Sequence, residues 1–175
     1  MDDRIPAWRD GRLVPVDKLE VHRLGLRHLA VSVFVTIGDE VLIQRRAAGK
    51  YHSPGLWANT CCTHPRWGES DEDCSVRRLD EELGITGLYP TFRDKVEYRA
   101  EVGGGMTEHE LVSIFMAEAE QGLPVRPNPD EVSEVRWVNR FDLAAEVARR
   151  PQAFTPWLRI YLGTYSKQIF IGHRA

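Results

Sequence analysis

Runs of β-branched and apolar positions, separated by polar and glycine-containing turns, predict several β-strands along the chain. Residues 29–36 (LAVSVFVT) and 41–46 (VLIQRR) are rich in β-branched and apolar side chains, and Gly38-Asp39 between them predicts a hairpin. Further strands are predicted at residues 12–17, 92–100, 108–118 and 132–138.

One amphipathic helix is predicted over residues 70–83. Val76, Leu79 and Leu83 fall at positions i, i+3 and i+7, so they form a single apolar stripe. Ser70 is suited to cap the start of this helix, and Gly84 is suited to end it. Two more helices are predicted at residues 141–149 and 155–167.

These elements predict an α/β (α+β) fold, a mixed β-sheet with flanking helices. The chain has 175 residues, enough for one domain with a real core and too few for two comfortable ones. We therefore expect one domain over residues 1–175, with residues 1–17 as an N-terminal extension and a candidate lid over a substrate.

Composition and charge exclude several classes of protein. Apolar residues make up 42% and charged residues 28%, and the net charge of -3 predicts no nucleic-acid or membrane surface. No apolar run approaches the ~20 residues that span a bilayer, and the acidic start lacks the apolar core of a secretory signal. We expect a cytoplasmic protein, a monomer or weak homodimer, whose three cysteines are reduced thiols.

A cysteine and a histidine lie two residues apart just before the predicted helix. On extended backbone, Cys62 and His64 point the same way, and the loop leads to a helix N-terminus that favours anions. In that position Cys62 could serve as an acid or a nucleophile. A buried cysteine beside a histidine in a turn explains the segment equally well, so both interpretations stay open.

Charged residues on the predicted helix also allow two interpretations. Arg77 and Glu81, and likewise Arg78 and Glu82, are four residues apart, which by itself favours ion pairs on a solvated surface. Alternatively, Glu81 and Glu82 join Glu69 in an acidic cluster that meets a diphosphate through Mg²⁺.

Paired carboxylates on one strand give a stronger indication. Glu108 and Glu110 lie on the same face of the strand at residues 108–118, where they repel each other unless a cation or a proton lies between them. Together with His22, His28 and His64 they would supply nitrogen and oxygen ligands suited to Mn²⁺, Mg²⁺ or Zn²⁺.

Several basic residues lie in the same segments. Taken singly, Lys18, Arg46, Lys50 and Arg78 are typical of solvated surface charge, although a diphosphate requires such cations. Trp157, just inside a predicted helix, is typical of core packing, with a wall that stabilises a cation as the alternative.

The predicted helix resembles a Nudix box, whose usual form is G-x5-E-x7-R-E-U-x-E-E-x-G-U, with U an apolar residue. The alignment places its matching charged positions at Glu69, Arg77, Glu81 and Glu82. Two positions differ, because Thr63 replaces the first glycine and Arg78 replaces the glutamate after the arginine. An ordinary Nudix hydrolase uses that glutamate in its metal cluster, so the change disfavours hydrolysis of a diphosphate.

The wider pattern, over about residues 18 to 165, resembles the type I isopentenyl diphosphate isomerases of the Nudix superfamily. The segments that match, in order, are Lys18-x3-His22-Arg23-x-Gly25-x2-His28, Gln44-Arg45-Arg46-Ala47-x2-Gly49-Lys50, Pro54-Gly55-x-Trp57-x-Asn59, Cys62-x-His64-Pro65-x2-Gly68-Glu69-Ser70, Glu108-x-Glu110 and Pro156-Trp157. Cys61 beside Cys62 departs from the pattern and is the alternative reactive thiol.

The resemblance implies a function and a set of roles. The chain would interconvert isopentenyl and dimethylallyl diphosphate by protonation and deprotonation through a carbocation, in isoprenoid biosynthesis. The implied catalytic residues are Cys62, Glu110, Tyr98 and Trp157. A divalent metal, Mn, Zn or Mg, would be held by His22, His28, His64, Glu108 and Glu110. The diphosphate would be bound by Lys18, Arg46, Lys50 and Arg78, and it would bring Mg²⁺ to Glu82.

Two other classes of function compete with the isomerase. A Nudix pyrophosphohydrolase of a nucleotide-type diphosphate would use the same helix and Mg²⁺ without needing Cys62 or the Glu108 and Glu110 pair. A catalytically inactive Nudix-like binding module would need no bound divalent ion.

Overall fold

A mixed sheet of nine strands forms the frame of the computed structural model, which describes residues 4–171. The strands are β1 (Arg4–Arg9), β2 (Arg12–Asp17), β3 (His28–Ile37), β4 (Glu40–Arg46), β5 (Trp57–Ala58), β6 (Cys61–Thr63), β7 (Thr91–Gly103), β8 (Met106–Glu118) and β9 (Val132–Asn139). The helices are α1 (Lys18–Leu24), α2 (Asp71–Leu83), α3 (Arg140–Arg149), α4 (Pro156–Thr164) and α5 (Ser166–Phe170), with a 3-10 turn at Pro151–Ala153. Across residues 4–171, every helix is too short or too polar to cross a bilayer.

Strands β3 and β8 run parallel at the centre of the sheet, in a register that pairs His28 with Glu110 and Thr36 with Glu118. Because successive side chains on a strand point to opposite faces, each strand contributes to two cores. Val31, Val33 and Val35 of β3 pack in the core that includes Leu79 and Leu83 of α2. Ala30 and Phe34 face the other core, with Trp157, Leu158 and Tyr161 of α4.

The predicted hairpin between β3 and β4 is confirmed, but the two strands pair only at Thr36–Val41 and Ile37–Glu40. Beyond these pairs β3 continues beside β6 and β8, and β4 continues beside β5 and β9. Thr60 bridges the diverging strands, since its Oγ1 accepts from the Val35 N–H at 2.8 Å and donates to the Leu42 carbonyl at 2.6 Å.

Helix α2 confirms the predicted caps. The Ser70 hydroxyl accepts a hydrogen bond from the Asp73 N–H at 3.1 Å, which satisfies a free donor in the first turn. Gly84 ends the helix at φ 60°, a left-handed conformation that glycine adopts without steric cost. The end of α2 is therefore fixed, and Glu82 lies close to it.

The prediction of one helix over residues 155–167 is wrong, because the structure divides that segment into α4 and α5 at Tyr165. Gly163 and the β-branched Thr164 are poor helix formers, and they come directly before the break. The Tyr165 hydroxyl donates to the Glu97 carbonyl at 3.0 Å, which ties the break to β7.

The N-terminal segment contains two elements that the sequence did not predict. Strand β1 pairs antiparallel with β2, which has the predicted bounds, and joins β3 where Ala7 pairs with His28. Helix α1 follows at once. Asp17 caps it by accepting from the Glu20 N–H at 2.9 Å, and Gly25 ends it at φ 61°.

Candidate active site

The five side chains predicted as metal ligands lie at one end of the central strands, and four of them, all but Glu110, have ligand atoms within 4.8 Å of one another. His22 comes from α1, His28 from the start of β3, and Glu108 and Glu110 from β8 beside it, while His64 follows β6. The Glu108 Oε2 lies 3.1 Å from the His22 Nε2 and 3.3 Å from the His28 Nε2. The His64 Nε2 lies 3.0 Å from the Glu110 Oε1 and 3.2 Å from the His28 Nε2. The sequence required a loop to bring His22 and His28 together, and the turn at Gly25 does so.

Two of the imidazole rings are oriented by backbone carbonyls. The His22 Nδ1 lies 2.5 Å from the Lys18 carbonyl and the His28 Nδ1 lies 2.7 Å from the Leu26 carbonyl, so each Nδ1 carries a proton. In a neutral ring the Nε2 then presents only a lone pair. While both rings are neutral, the buried Glu108 Oε2 that these lone pairs face has no hydrogen-bond donor. A cation at this point would satisfy all three atoms, so the donor set fits a divalent metal.

Without a cation between them, the buried carboxylates hold a proton on His28. Burial opposes a charged imidazole, but Glu108 and Glu110 accept hydrogen bonds from His28 and raise its pKa to about 10. Burial likewise opposes a charged Glu108, yet hydrogen bonds from His22, His28 and His52 hold the pKa of Glu108 well below its ordinary value. The two buried carboxylates therefore require positive charge beside them.

Glu110 and Cys62 lie on the wall of one small pocket, whose cavity volume of about 20 Å³ is room for about one water molecule. Burial, and then the charge of Glu108, raise the pKa of Glu110 to about 7, and the Tyr98 hydroxyl donates to the Glu110 Oε2 at 2.7 Å. Burial, and then the charge of Glu110, raise the pKa of Cys62, which keeps it a thiol. The Tyr161 hydroxyl lies 4.0 Å from the Cys62 Sγ, and this tyrosine belongs to none of the motifs found in the sequence.

The three cysteines differ in which side of the sheet they face. Cys61 and Cys74 are buried in the core against α2, away from the pocket. Cys62, the next residue along β6 from Cys61, packs against the opposite core and lines the pocket. This alternation separates the two adjacent thiols that the sequence left as alternatives.

The four residues predicted to bind the diphosphate all line the same pocket. They are Lys18, Arg46, Lys50 and Arg78. Burial, and then the charges of Lys50 and Arg78, lower the pKa of Lys18. Glu131, which no sequence motif contains, forms ion pairs with Lys50 and, at 3.4 Å, with Arg78. The cations therefore form one cluster and are not scattered over the surface.

The interpretation of Arg78 and Glu82 as a solvated surface pair is wrong. Only 16% of the Arg78 side chain and 6% of the Glu82 side chain are exposed. The Arg78 Nη2 donates to the Glu82 Oε1 at 2.5 Å, and the Gln44 Nε2 donates to the Glu82 Oε2 at 2.7 Å. The end of α2 meets β4 here, and packing between these distant segments buries a pair that helix spacing alone could not distinguish from a surface pair.

Trp157 and two aromatic residues of the loop between β4 and β5 complete the wall of the pocket. The Trp157 ring is buried, lines the pocket, and has the Arg46 guanidinium 5.2 Å from its centroid. Tyr51 and His52 were not predicted; the Tyr51 hydroxyl lies 3.5 Å from the His22 Nε2, and the His52 Nε2 lies 2.9 Å from the Glu108 Oε1. Their position directly after Lys50 was the only signal in the sequence.

The fold is that of a known family of domains. A model of the NUDIX domain matches residues 26–158. Among solved structures, DR0079 from Deinococcus radiodurans superposes with a TM-score of 0.72 at 15% identity, covering 91% of this chain and 97% of that protein. A Nudix hydrolase from M. smegmatis, RenU, gives a TM-score of 0.58 at 20% identity, covering 95% of this chain and 94% of the hydrolase. These likenesses confirm the predicted fold class.

Relatives of much higher identity narrow the family. Proteins named isopentenyl-diphosphate Delta-isomerase are 66% identical in Cereibacter sphaeroides (strain ATCC 17029), over 97% of this chain and 96% of the relative, and 65% identical in Dinoroseobacter shibae, over 97% of each. The protein of that name in Rhodobacter capsulatus is 54% identical over 97% of this chain and 96% of its own length. The chain thus belongs to the isopentenyl-diphosphate Delta-isomerases, a family built on the NUDIX domain.

Proposed function

We propose that this chain interconverts isopentenyl and dimethylallyl diphosphate, as the sequence analysis predicted. The observation that carries the proposal is one pocket whose wall contains the thiol of Cys62, the carboxylate of Glu110 and the indole of Trp157, with the diphosphate-binding cations beside them. Family membership supplies the substrate class, and the pocket supplies the chemistry.

A divalent metal ion would be held by the group predicted from the sequence, which is His22, His28, His64, Glu108 and Glu110. The orientation of His22 and His28 and the Glu108 oxygen without a donor support this assignment. When bound, such an ion supplies positive charge that balances the buried carboxylates and lowers the pKa of a proton-bearing group beside it. Whether it is Mn, Zn or Mg stays a prediction, since mixed nitrogen and oxygen ligands suit each of them.

Two proton transfers make up the reaction. A proton added to the terminal methylene carbon of isopentenyl diphosphate leaves a tertiary carbocation at the adjoining carbon. Loss of a proton from the chain methylene next to that cationic carbon, and not from the CH₂ that carries the diphosphate oxygen, then forms the double bond of dimethylallyl diphosphate. We assign the two transfers to Cys62 and Glu110, which are a neutral thiol and a carboxyl group whose pKa is raised to about 7. Tyr98 positions Glu110 through its hydrogen bond.

The carbocation has to be kept from water, which would capture it. Trp157 and Tyr161 form a buried aromatic wall in the core behind Cys62. The face of an indole attracts a cation through its quadrupole, so we assign Trp157 to stabilising the carbocation.

The diphosphate would lie against Lys18, Arg46, Lys50 and Arg78, with Mg²⁺ carried to Glu82. Lys18 and Lys50 also line an outer cleft of about 970 Å³ that adjoins the pocket. A charged head group can therefore reach these cations from the cleft, and the pocket, which has room for about one water molecule, would have to widen to admit the hydrocarbon end.

The two adjacent thiols give a matched test of the function. Purified protein with Mg²⁺ and Mn²⁺ should convert labelled isopentenyl diphosphate into dimethylallyl diphosphate. We expect Cys62→Ala to lower kcat by at least about 100-fold, because general acid and base groups contribute roughly 10²–10⁴-fold. Cys61→Ala should keep kcat near that of the wild type, because Cys61 faces the other core.

Equal activity in the Cys62 and Cys61 variants would remove Cys62 from the mechanism. Phosphate release from nucleoside diphosphate derivatives, with no conversion of the isoprenoid, would instead support the pyrophosphohydrolase. The single domain over residues 1–175, the lid formed by residues 1–17, the cytoplasmic location and the monomer or weak homodimer stay predictions.

A further inference from the structure

One buried histidine outside the predicted ligand set contacts the candidate metal group. His52 is 4% exposed and lies in the loop between β4 and β5. Its Nε2 is 2.9 Å from the Glu108 Oε1, whereas the Glu108 Oε2 is turned to His22 and His28. The two oxygens of one carboxylate therefore have different partners.

The chemistry of this contact fixes the proton on the ring. An ionised carboxylate can only accept hydrogen bonds, so the His52 Nε2 must carry the proton that Glu108 receives. The His52 Nδ1 then lies 3.4 Å from the Ser53 Oγ, the neighbouring hydroxyl. The bond holds Oε1 on the loop side and leaves Oε2 facing the other histidines.

Contacts on all sides keep the His52 ring in place. It meets the Trp157 ring edge-on at 5.7 Å and stacks on the His22 ring at 5.5 Å. The Arg46 guanidinium donates to the His52 carbonyl at 3.0 Å. Ser53 follows at φ 47°, in the left-handed region where a residue other than glycine is strained by about 1 kcal/mol or more. The surrounding contacts maintain this strain, as is common at functional sites.

We infer that His52 is a positioning residue, which orients Glu108 so that one oxygen is kept free for the divalent metal. The inference rests on the metal site of the proposed function and adds a residue outside the five proposed ligands. Partners of this kind fix the orientation of a ligand, and their loss typically weakens metal binding by roughly 10–100-fold. His52 also touches Trp157 and Arg46, so it links the metal group to the residues assigned to the hydrocarbon and to the diphosphate.

Two amide substitutions at this position separate hydrogen bonding from packing. In His52→Gln the side-chain NH₂ can reach the place of the imidazole Nε2, whereas in His52→Asn it ends near the place of Nδ1, too short for Glu108. Full-length protein is stripped with a chelator and titrated with Mn²⁺ by calorimetry. We expect His52→Gln to keep the dissociation constant within about threefold of the wild type and His52→Asn to raise it about 10- to 100-fold.

Turnover and melting temperature distinguish a role of His52 in positioning Glu108 from a purely structural role. Saturating Mn²⁺ should restore most of the kcat of His52→Asn with little change in KM for the diphosphate, and the metal-free variants should melt at similar temperatures. Equal affinity in all three proteins would overturn the inference. Equal loss in both variants would also overturn it, because it would mean that the ring nitrogen itself is a ligand. A wild-type protein that binds no Mn²⁺ would contradict the metal site itself.

Discussion

Removing the Arg78 guanidinium should destabilise the protein strongly, because it leaves a buried carboxylate without its partner. The Glu82 side chain is 6% exposed and would keep only the hydrogen bond from Gln44. Breaking a buried pair on one side costs about 3–5 kcal/mol, and the remaining bond from Gln44 favours the lower end of that range. For Arg78→Met we expect a loss of about 3 kcal/mol, or a fall in Tm of about 6–12 °C at this chain length.

An exposed pair of the same residue types provides the control. The Arg9 Nη2 lies 2.7 Å from the Glu20 Oε1, but the two side chains are 42% and 47% exposed. Arg9→Met should therefore cost no more than about 1 kcal/mol. Urea unfolding at pH 7, followed by tryptophan fluorescence at a fixed metal concentration, measures both free energies of unfolding.

A double variant shows whether the lost free energy of unfolding comes from the unpaired charge of Glu82. Adding Glu82→Gln to Arg78→Met removes the buried charge and should recover at least about 2 kcal/mol. A loss for Arg78→Met as small as that for Arg9→Met, or a loss that Glu82→Gln leaves unchanged, would contradict a buried unpaired charge as the cause.

Two further predictions concern catalysis. Burial, and then the charges of Lys50 and Arg78, lower the pKa of Lys18 below 10.5, so its charge is lost as pH rises through the lowered pKa. The value of kcat/KM for the diphosphate should therefore begin to fall at a pH below 10.5. Lys18→Arg should move this fall to higher pH, because arginine stays charged. A pH profile that does not move would contradict the role of Lys18. Tyr98→Phe should lower kcat on the order of 10- to 100-fold, because hydrogen bonds to charged groups contribute about 1.5–3 kcal/mol. Tyr165→Phe, which loses a bond to a backbone carbonyl, should leave steady-state turnover unchanged, and equal losses in both variants would argue against support of Glu110.

Local signals in the sequence were sufficient for the central strands and for α2. Runs of β-branched and apolar residues predicted β3 and β8 to within a few residues. Ser70 and Gly84 marked the limits of α2, because capping depends on neighbouring residues alone. Strand β1 was missed because Pro6 interrupts its short pattern, although Pro6 is tolerated where it pairs with Pro15. Helix α1 was missed because seven residues carry too little periodicity.

The candidate site was predictable as a set of residue types but not as an arrangement. The motifs named His28 and Glu110, yet only the parallel pairing of β3 with β8 brings these two residues side by side. That pairing depends on contacts far apart in the chain, which no local pattern encodes. His52 belonged to no motif, and its contact with Glu108 could be recognised only after the loop between β4 and β5 was placed.

The alternation of β8 makes the site sensitive to strand length. Glu108 and Glu110 face the pocket because they share the parity of Val112 and Ile114, whose side chains lie in the core beside Trp157. Deleting the single residue Leu111 would let the ladder with β3 re-form while both carboxylates turned toward α2. The protein would then keep a folded sheet and lose its acidic ligands in one step. Evolution can lengthen or shorten the loops that flank this strand, but within it only paired insertions or deletions preserve the chemistry.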